Sequence, residues 1–200
     1  MISASLKPAV TRLITPVASA ALRAGITPNA VTWVGAIGVV FSALFFYPRA
    51  EFITGTAVIM AFALSDLFDG AMARISKKGA SKWGSFLDST IDRVTDSAIL
   101  LGLAVYLTKN NDALVYVVMV TMVTGILVPY IRAKAESFSI QCSGGIAERT
   151  ERLIIALFAI GLNGFDVPYV LAIGMWLLAV LGVITVIQRM LIVRKALRNV

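Results

Sequence analysis

The chain has 200 residues, of which 58% are hydrophobic and only 14% charged, and it carries a formal net charge of +7. So few polar residues cannot coat a soluble domain of this size, and the apolar ones cluster in long blocks, which places the chain among all-α integral membrane proteins. One cysteine, Cys142, excludes an internal disulfide, and the absence of histidine leaves acid–base and metal chemistry to carboxylates. The basic residues flank apolar segments, as topology and attraction to anionic lipid require, so no nucleic-acid partner is expected.

Residues 17–21 (VASAA) resemble a small-residue cleavage site, but Lys7, Pro8 and Arg12 interrupt the apolar core that a signal peptide needs. Leu6, Val10, Leu13, Ile14, Val17 and Ala21 instead share one helical face, which predicts an amphipathic helix over 1–25 lying in the membrane interface. Hydropathy and Gly, Pro and charge punctuation then predict six transmembrane helices over 30–48, 52–75, 84–108, 112–133, 150–164 and 167–190. With six spans the termini and the second and fourth loops share one side, and sixteen of the eighteen Lys and Arg residues fall there. Only Arg49 and Lys109 lie opposite, so both termini are expected in the cytoplasm and the chain in the cell membrane. No internal repeat or long linker divides the sequence, and 1–200 reads as a single membrane domain with a six-helix core over 30–190.

The second and third spans are apolar only in part. Phe52–Leu64 offers 13 residues without a charge and Ser97–Thr108 offers 12, roughly 18–20 Å of helix against a hydrocarbon core of about 30 Å. Their cytoplasmic ends carry Asp66, Asp69 and Arg74 on one helix and Asp88, Asp92, Arg93 and Asp96 on the next. The short connection makes these helices antiparallel neighbours, and the 66/69 and 88/92 spacings put each pair on one helical face. Four carboxylates therefore meet in one cleft, where they would repel one another unless divalent cations relieved the charge. An all-oxygen donor set suits Mg²⁺ or Mn²⁺, ions that commonly bridge to substrate phosphates. Gly70, Ala73 and Gly84 keep the cleft open beside the acids, and Arg74 can clamp a phosphate with its fork of donors. Asp96, one turn beyond Asp92, is either a helix-pairing residue or a member of the cluster. A carboxylate-lined ion or proton transporter would also need intramembrane acids, because each costs on the order of 2.5–3.5 kcal/mol to insert.

The run from Asp66 to Asp92 resembles the signature of the CDP-alcohol phosphotransferase family, D-x2-D-G-x2-A-R, a spacer, then G-x3-D-x3-D. All eight fixed positions are present, as Asp66, Asp69, Gly70, Ala73, Arg74, Gly84, Asp88 and Asp92. The resemblance implies a six-span, homodimeric membrane fold in which Asp66, Asp69, Asp88 and Asp92 hold two Mg²⁺ or Mn²⁺ ions on the diphosphate of a CDP-linked lipid. It also implies that Asp92 takes the proton from the acceptor hydroxyl, and that CMP leaves as a phosphodiester lipid forms. The TPNAVT segment, 27–32, is similar to the segment that closes over the nucleotide in this family. It makes Asn29, Ala30, Val31 and Thr32, with Gly70, Arg74 and Ser81, the expected contacts to CDP-diacylglycerol, although Asn29 and Thr32 read equally well as helix caps.

Residues 128–137 (VPYIRAKAES) and 144–153 (GGIAERTERL) resemble the bacterial branch of the family that joins inositol phosphate to CDP-diacylglycerol. By that resemblance Arg132, Lys134, Arg152 and Arg189 would hold the acceptor's phosphate, a ligand that suits a cluster of fixed cations. Glycerol phosphate is the alternative acceptor. Arg149, Arg194, Lys195 and Arg198 read as ordinary cytoplasmic flanking charge.

Overall fold

The apolar runs become helices wherever hydropathy predicts them, and turn residues separate them. The computed structural model describes residues 15–76, 81–142 and 149–198, except for the side chains of Asp66 and Leu67. All regular structure among these residues is helical. A stretch over 15–23, α1, is followed by α2 (Pro28–Phe46), α3 (Phe52–Ala63), α4 (Ser65–Ile75), α5 (Lys82–Lys109), α6 (Leu114–Glu136), α7 (Arg149–Asn163) and α8 (Val170–Arg198).

Each of the six expected spans falls on a helix, but among the described residues four stretches are both long and apolar enough to cross a membrane. They are Pro28–Arg49, Phe52–Ile75, Leu114–Glu136 and Val170–Arg198. The 28-residue α5 has the length, yet it carries Asp88, Asp92, Arg93 and Asp96. The 15 residues of α7 reach only about 22 Å, short of the hydrocarbon thickness. The second expected span is interrupted for one residue at Leu64, immediately before the first acidic motif. Along α2, Val34, Ile37 and Phe41 each leave more than 60% of their surface exposed. An exposed apolar stripe of this kind suits lipid rather than water.

The chain divides into two compact units. In the first, Met1–Ser42 with Val58–Thr95, α1 buries Ala18 against Ala71 and Met72 of α4, with Leu22, Val31 and Phe68 packed around them. The expected interfacial helix is described only from residue 15 onward; residues 1–14, including most of its apolar face, lie outside the described residues. Helix α2 packs Ala36 against Leu87 and Ile91 of α5. Gly35 and Gly38 permit the approach of the next helices, since a Cβ at either would collide with Ser65 or the Phe62 ring.

In the second unit, Ala43–Ala57 with Asp96–Val200, the buried Tyr47 hydroxyl shares a 3.0 Å hydrogen bond with Thr56. Phe52 meets Tyr106 edge-on with centroids 4.8 Å apart. Helix α8 packs on α6 and α7 through glycines, Gly182 against Thr124 and Gly174 against Ala159. Without a Cβ at these positions the backbones approach closely, as membrane helices require where the hydrophobic effect does not drive them together.

Candidate active site

The site begins with two helix starts in the first unit. Thr27 caps α2, its hydroxyl oxygen accepting from the Ala30 N–H at 3.2 Å, with Pro28 at the first helical position. The capping alternative for Asn29 and Thr32 therefore falls away. Ser81 caps α5 in the same manner, accepting from the Gly84 N–H at 2.9 Å. A cleft of about 590 Å³ opens between these starts and α4. Asn29, Thr32, Gly70, Arg74 and Ser81, all expected to contact the nucleotide lipid, line it, together with Asp69 and Asp88. Ala30 and Val31 stand apart: Ala30 gives its N–H to the Thr27 cap, and Val31 packs into the cluster around Ala18.

Gly84 brings the two starts together. A Cβ there would stand 3.1 Å from Ser81 Oγ and 3.2 Å from Asn29 Oδ1, tighter than side chains normally pack. A Cβ on Gly70 would meet only Arg74 Nη1, at 3.6 Å, so this glycine keeps open the cleft itself.

The electrostatics are of two kinds. The N-termini of α2 and α5 bring partial positive charge and Arg74 brings a full one, a combination that attracts phosphate. Asp69 and Asp88 bring negative charge, and Asp69 is only 7% exposed. A buried carboxylate needs partners, and Thr32 supplies one, its hydroxyl 2.5 Å from Asp69 Oδ2 and 3.1 Å from the Pro28 carbonyl. That hydroxyl has one proton to give, and an ionised carboxylate is the stronger acceptor. Thr32 thus acts on a carboxylate within the cleft, a role that sequence reasoning did not foresee. Asp92 is also buried, one turn beyond Asp88, with Arg93 Nη2 3.9 Å from its Oδ2. The Asp66 side chain lies outside the described residues, and among the described residues no three carboxylates converge on one point. The donor set nevertheless fits hard divalent cations, being all oxygen and placed beside a phosphate-attracting surface.

Comparison with known proteins decides the class of this site. A model of the CDP-alcohol phosphatidyltransferase family matches residues 25–192. The chain belongs to that family. Among its relatives in the family is a phosphatidylinositol phosphate synthase of Streptomyces avermitilis, 43% identical over 92% of this chain and 79% of that protein. The synthase of Mycolicibacterium smegmatis is 41% identical over 93% and 86%. A crystal structure of the Mycobacterium tuberculosis synthase with CDP-DAG bound superposes with a TM-score of 0.86, at 40% identity, covering 91% of this chain and 94% of that one. A second, in complex with manganese and citrate, gives a TM-score of 0.84 at 39% identity over 90% and 88%.

The cations that this CDP-alcohol phosphatidyltransferase was expected to use for its acceptor lie in the second unit, in different settings. Arg189 donates from Nη1 to the Val128 carbonyl at 2.6 Å, tying α8 to α6, and Arg132 and Glu136 lie close enough to act on its charge. Arg132 itself donates to Glu136 at 2.9 Å, and Lys134 sits 4.7 Å above the Phe138 ring. Arg152 lines a separate cavity of about 50 Å³ with Asp96, Thr121, Thr124 and Gly125. Arg149, read from sequence as flanking charge, is instead held by Asp96, with Nε–Oδ2 and Nη2–Oδ1 both at 3.3 Å. Asp96 thus joins α5 to α7 through this ion pair. Its partner lies 53 positions away, so no local pattern reveals it.

Proposed function

We propose that this protein transfers the phosphatidyl group of CDP-diacylglycerol to inositol phosphate, giving phosphatidylinositol phosphate and CMP. One observation carries the reading: Asp69, Asp88 and Arg74 share a cleft with two helix N-termini, in a chain about 40% identical to phosphatidylinositol phosphate synthases. The cleft offers anion-binding groups for a diphosphate and carboxylates for the cations that accompany it. Within this reading Asp66, Asp69, Asp88 and Asp92 hold two ions, Mg²⁺ or Mn²⁺, which supply charge stabilisation to the phosphate oxygens. Asn29, Ser81 and Gly70 border the nucleotide, and Arg74 clamps the diphosphate.

The acceptor hydroxyl oxygen bonds to the lipid-bearing phosphorus while the bond from that phosphorus to the CMP oxygen breaks, and CMP departs with the electron pair. Asp92 takes the hydroxyl proton; without histidine, a carboxylate is the base that the chain can offer there. Arg132, Lys134, Arg152 and Arg189 receive the acceptor's own phosphate. The whole chain acts as one membrane domain with six spans, α5 and the short α7 completing them, an N-terminal interfacial helix and cytoplasmic termini. It works as a homodimer in the cell membrane, with its active site toward the cytoplasm. Family membership and the positive-inside charge distribution support these finer points.

The test is an acceptor panel. Purified protein receives CDP-diacylglycerol with Mg²⁺ or Mn²⁺, then inositol phosphate, glycerol phosphate or inositol, and CMP release is followed. Turnover with inositol phosphate is expected; turnover with glycerol phosphate alone would move the protein to the other acceptor class. Ion flux in sealed vesicles without nucleotide lipid would support the transporter instead.

A further inference from the structure

Two arginines stand in the first turn of α7, Arg149 and Arg152. Cations are disfavoured at the positive end of a helix, so helix stability does not explain their place. Topological flanking charge does not explain it either, because such charge needs no partner, and Arg149 has one in Asp96. Its guanidinium meets the Asp96 carboxylate through two parallel 3.3 Å contacts, and each side chain is only about a quarter exposed. Paired geometry of this kind fixes orientation as well as distance. Asp96 also lines the small cavity that Arg152 lines, with Gly125, whose carbonyl loses its helical donor because Pro129 has no N–H.

We propose that Asp96 is a positioning residue for the acceptor: by gripping Arg149 it sets the first turn of α7, and with it the Arg152 side chain. The inference rests on the assignment of Arg152 to the acceptor's phosphate. The ion pair holds one arginine so that the next, one turn along the same helix, presents its charge in a constant place. Misplacement by about 1 Å far from the reacting atoms is enough to weaken such a contact severely.

The experiment compares D96N, R149Q and the double variant in detergent, measuring KM for inositol phosphate at saturating CDP-diacylglycerol and KM for CDP-diacylglycerol separately. Each single change is expected to raise the acceptor KM about tenfold, with kcat within about threefold and the CDP-diacylglycerol KM within about twofold. The double variant is expected to be no worse than the worse single one, because the two residues act as a unit. D96E and R149K keep both charges and alter only reach and fork geometry; they are expected to give intermediate values, and they carry the comparison if a neutral variant aggregates.

Equal rises in both KM values, or an unchanged acceptor KM beside a lowered thermal midpoint, would overturn the proposal and leave a merely structural pair. A lowered acceptor KM would overturn it too, by showing that Asp96 withholds Arg149 from the anion. If the wild type uses glycerol phosphate instead, the proposed acceptor is wrong and the same KM comparison is read with glycerol phosphate. A wild type that accepts only unphosphorylated alcohols overturns both.

Discussion

The two units use charge in opposite ways. In the first, Asp69, Asp88 and Arg74 border an open cleft, and the groups that organise them are hydroxyls and helix ends: Thr27, Ser81 and Thr32. In the second, charge is engaged within the protein, Arg149 with Asp96, Arg132 with Glu136, and Arg189 with a backbone carbonyl. An open cleft that holds carboxylates and a guanidinium together can attract cations and phosphate alike. A surface that must present cations in membrane surroundings gains from holding them in fixed geometry.

The comparison can be broken in the first unit by Asp92→Asn. Loss of a general base removes on the order of 10²–10⁴ in turnover, with CDP-diacylglycerol binding retained; CMP release near the wild-type rate would remove Asp92 from the mechanism. A smaller loss is expected for Thr32→Val, which deprives Asp69 of its hydroxyl donor. Partners that orient a metal-binding carboxylate are worth about 10–100-fold in affinity, so Mn²⁺ binding followed by electron paramagnetic resonance is expected to weaken by that order. Thr32→Ser keeps the donor and is expected to keep binding; weakening by Ser with Val unaffected would mean that the methyl group, not the hydroxyl, matters.

A matched pair of glycines sharpens the contrast. Gly84→Ala pushes a methyl group toward Ser81 and Asn29, and a several-fold rise in the CDP-diacylglycerol KM is expected with a small change in thermal midpoint. Gly182→Ala drives its methyl group into Thr124 in the α6–α8 contact. That is overpacking, at a cost of about 1–3 kcal/mol, expected to appear as a lowered midpoint with both KM values kept. A reversal of these two patterns would contradict the placement of the cleft. The smallest effect on stability belongs to Arg132→Gln. The Arg132–Glu136 pair is more than half exposed on both sides and spaced i,i+4, so its loss costs about 0.3–0.5 kcal/mol of stability. The proposed contact to the acceptor's phosphate adds a rise in the acceptor KM, and an unchanged acceptor KM would remove Arg132 from that site.

Much of the first unit was legible because its information is local. The apolar blocks, the 66/69 and 88/92 spacings and the glycines beside them lie within 27 consecutive residues, and helical periodicity alone puts the acids on shared faces. The cap of α2, by contrast, falls on Thr27 and not on Asn29 or Thr32. The bond from Thr32 to Asp69, 37 positions away, and the pair joining Asp96 to Arg149 were not legible, since neither periodicity nor composition reports which side chains meet across separate helices. The same holds for the acceptor cations, where Arg152 borders a cavity with Asp96 while Arg189 bonds to the Val128 carbonyl.

By itself, then, the sequence determined a membrane-embedded helical chain, its charge asymmetry and the eight motif residues of its family, because hydropathy and helical spacing act over neighbouring residues. Only the tertiary structure decided which hydroxyl orients Asp69, which arginine Asp96 holds and which glycines bring helices together. Those are questions of packing at distances of 2.5–3.5 Å, and they are answered only once separate helices have been laid side by side.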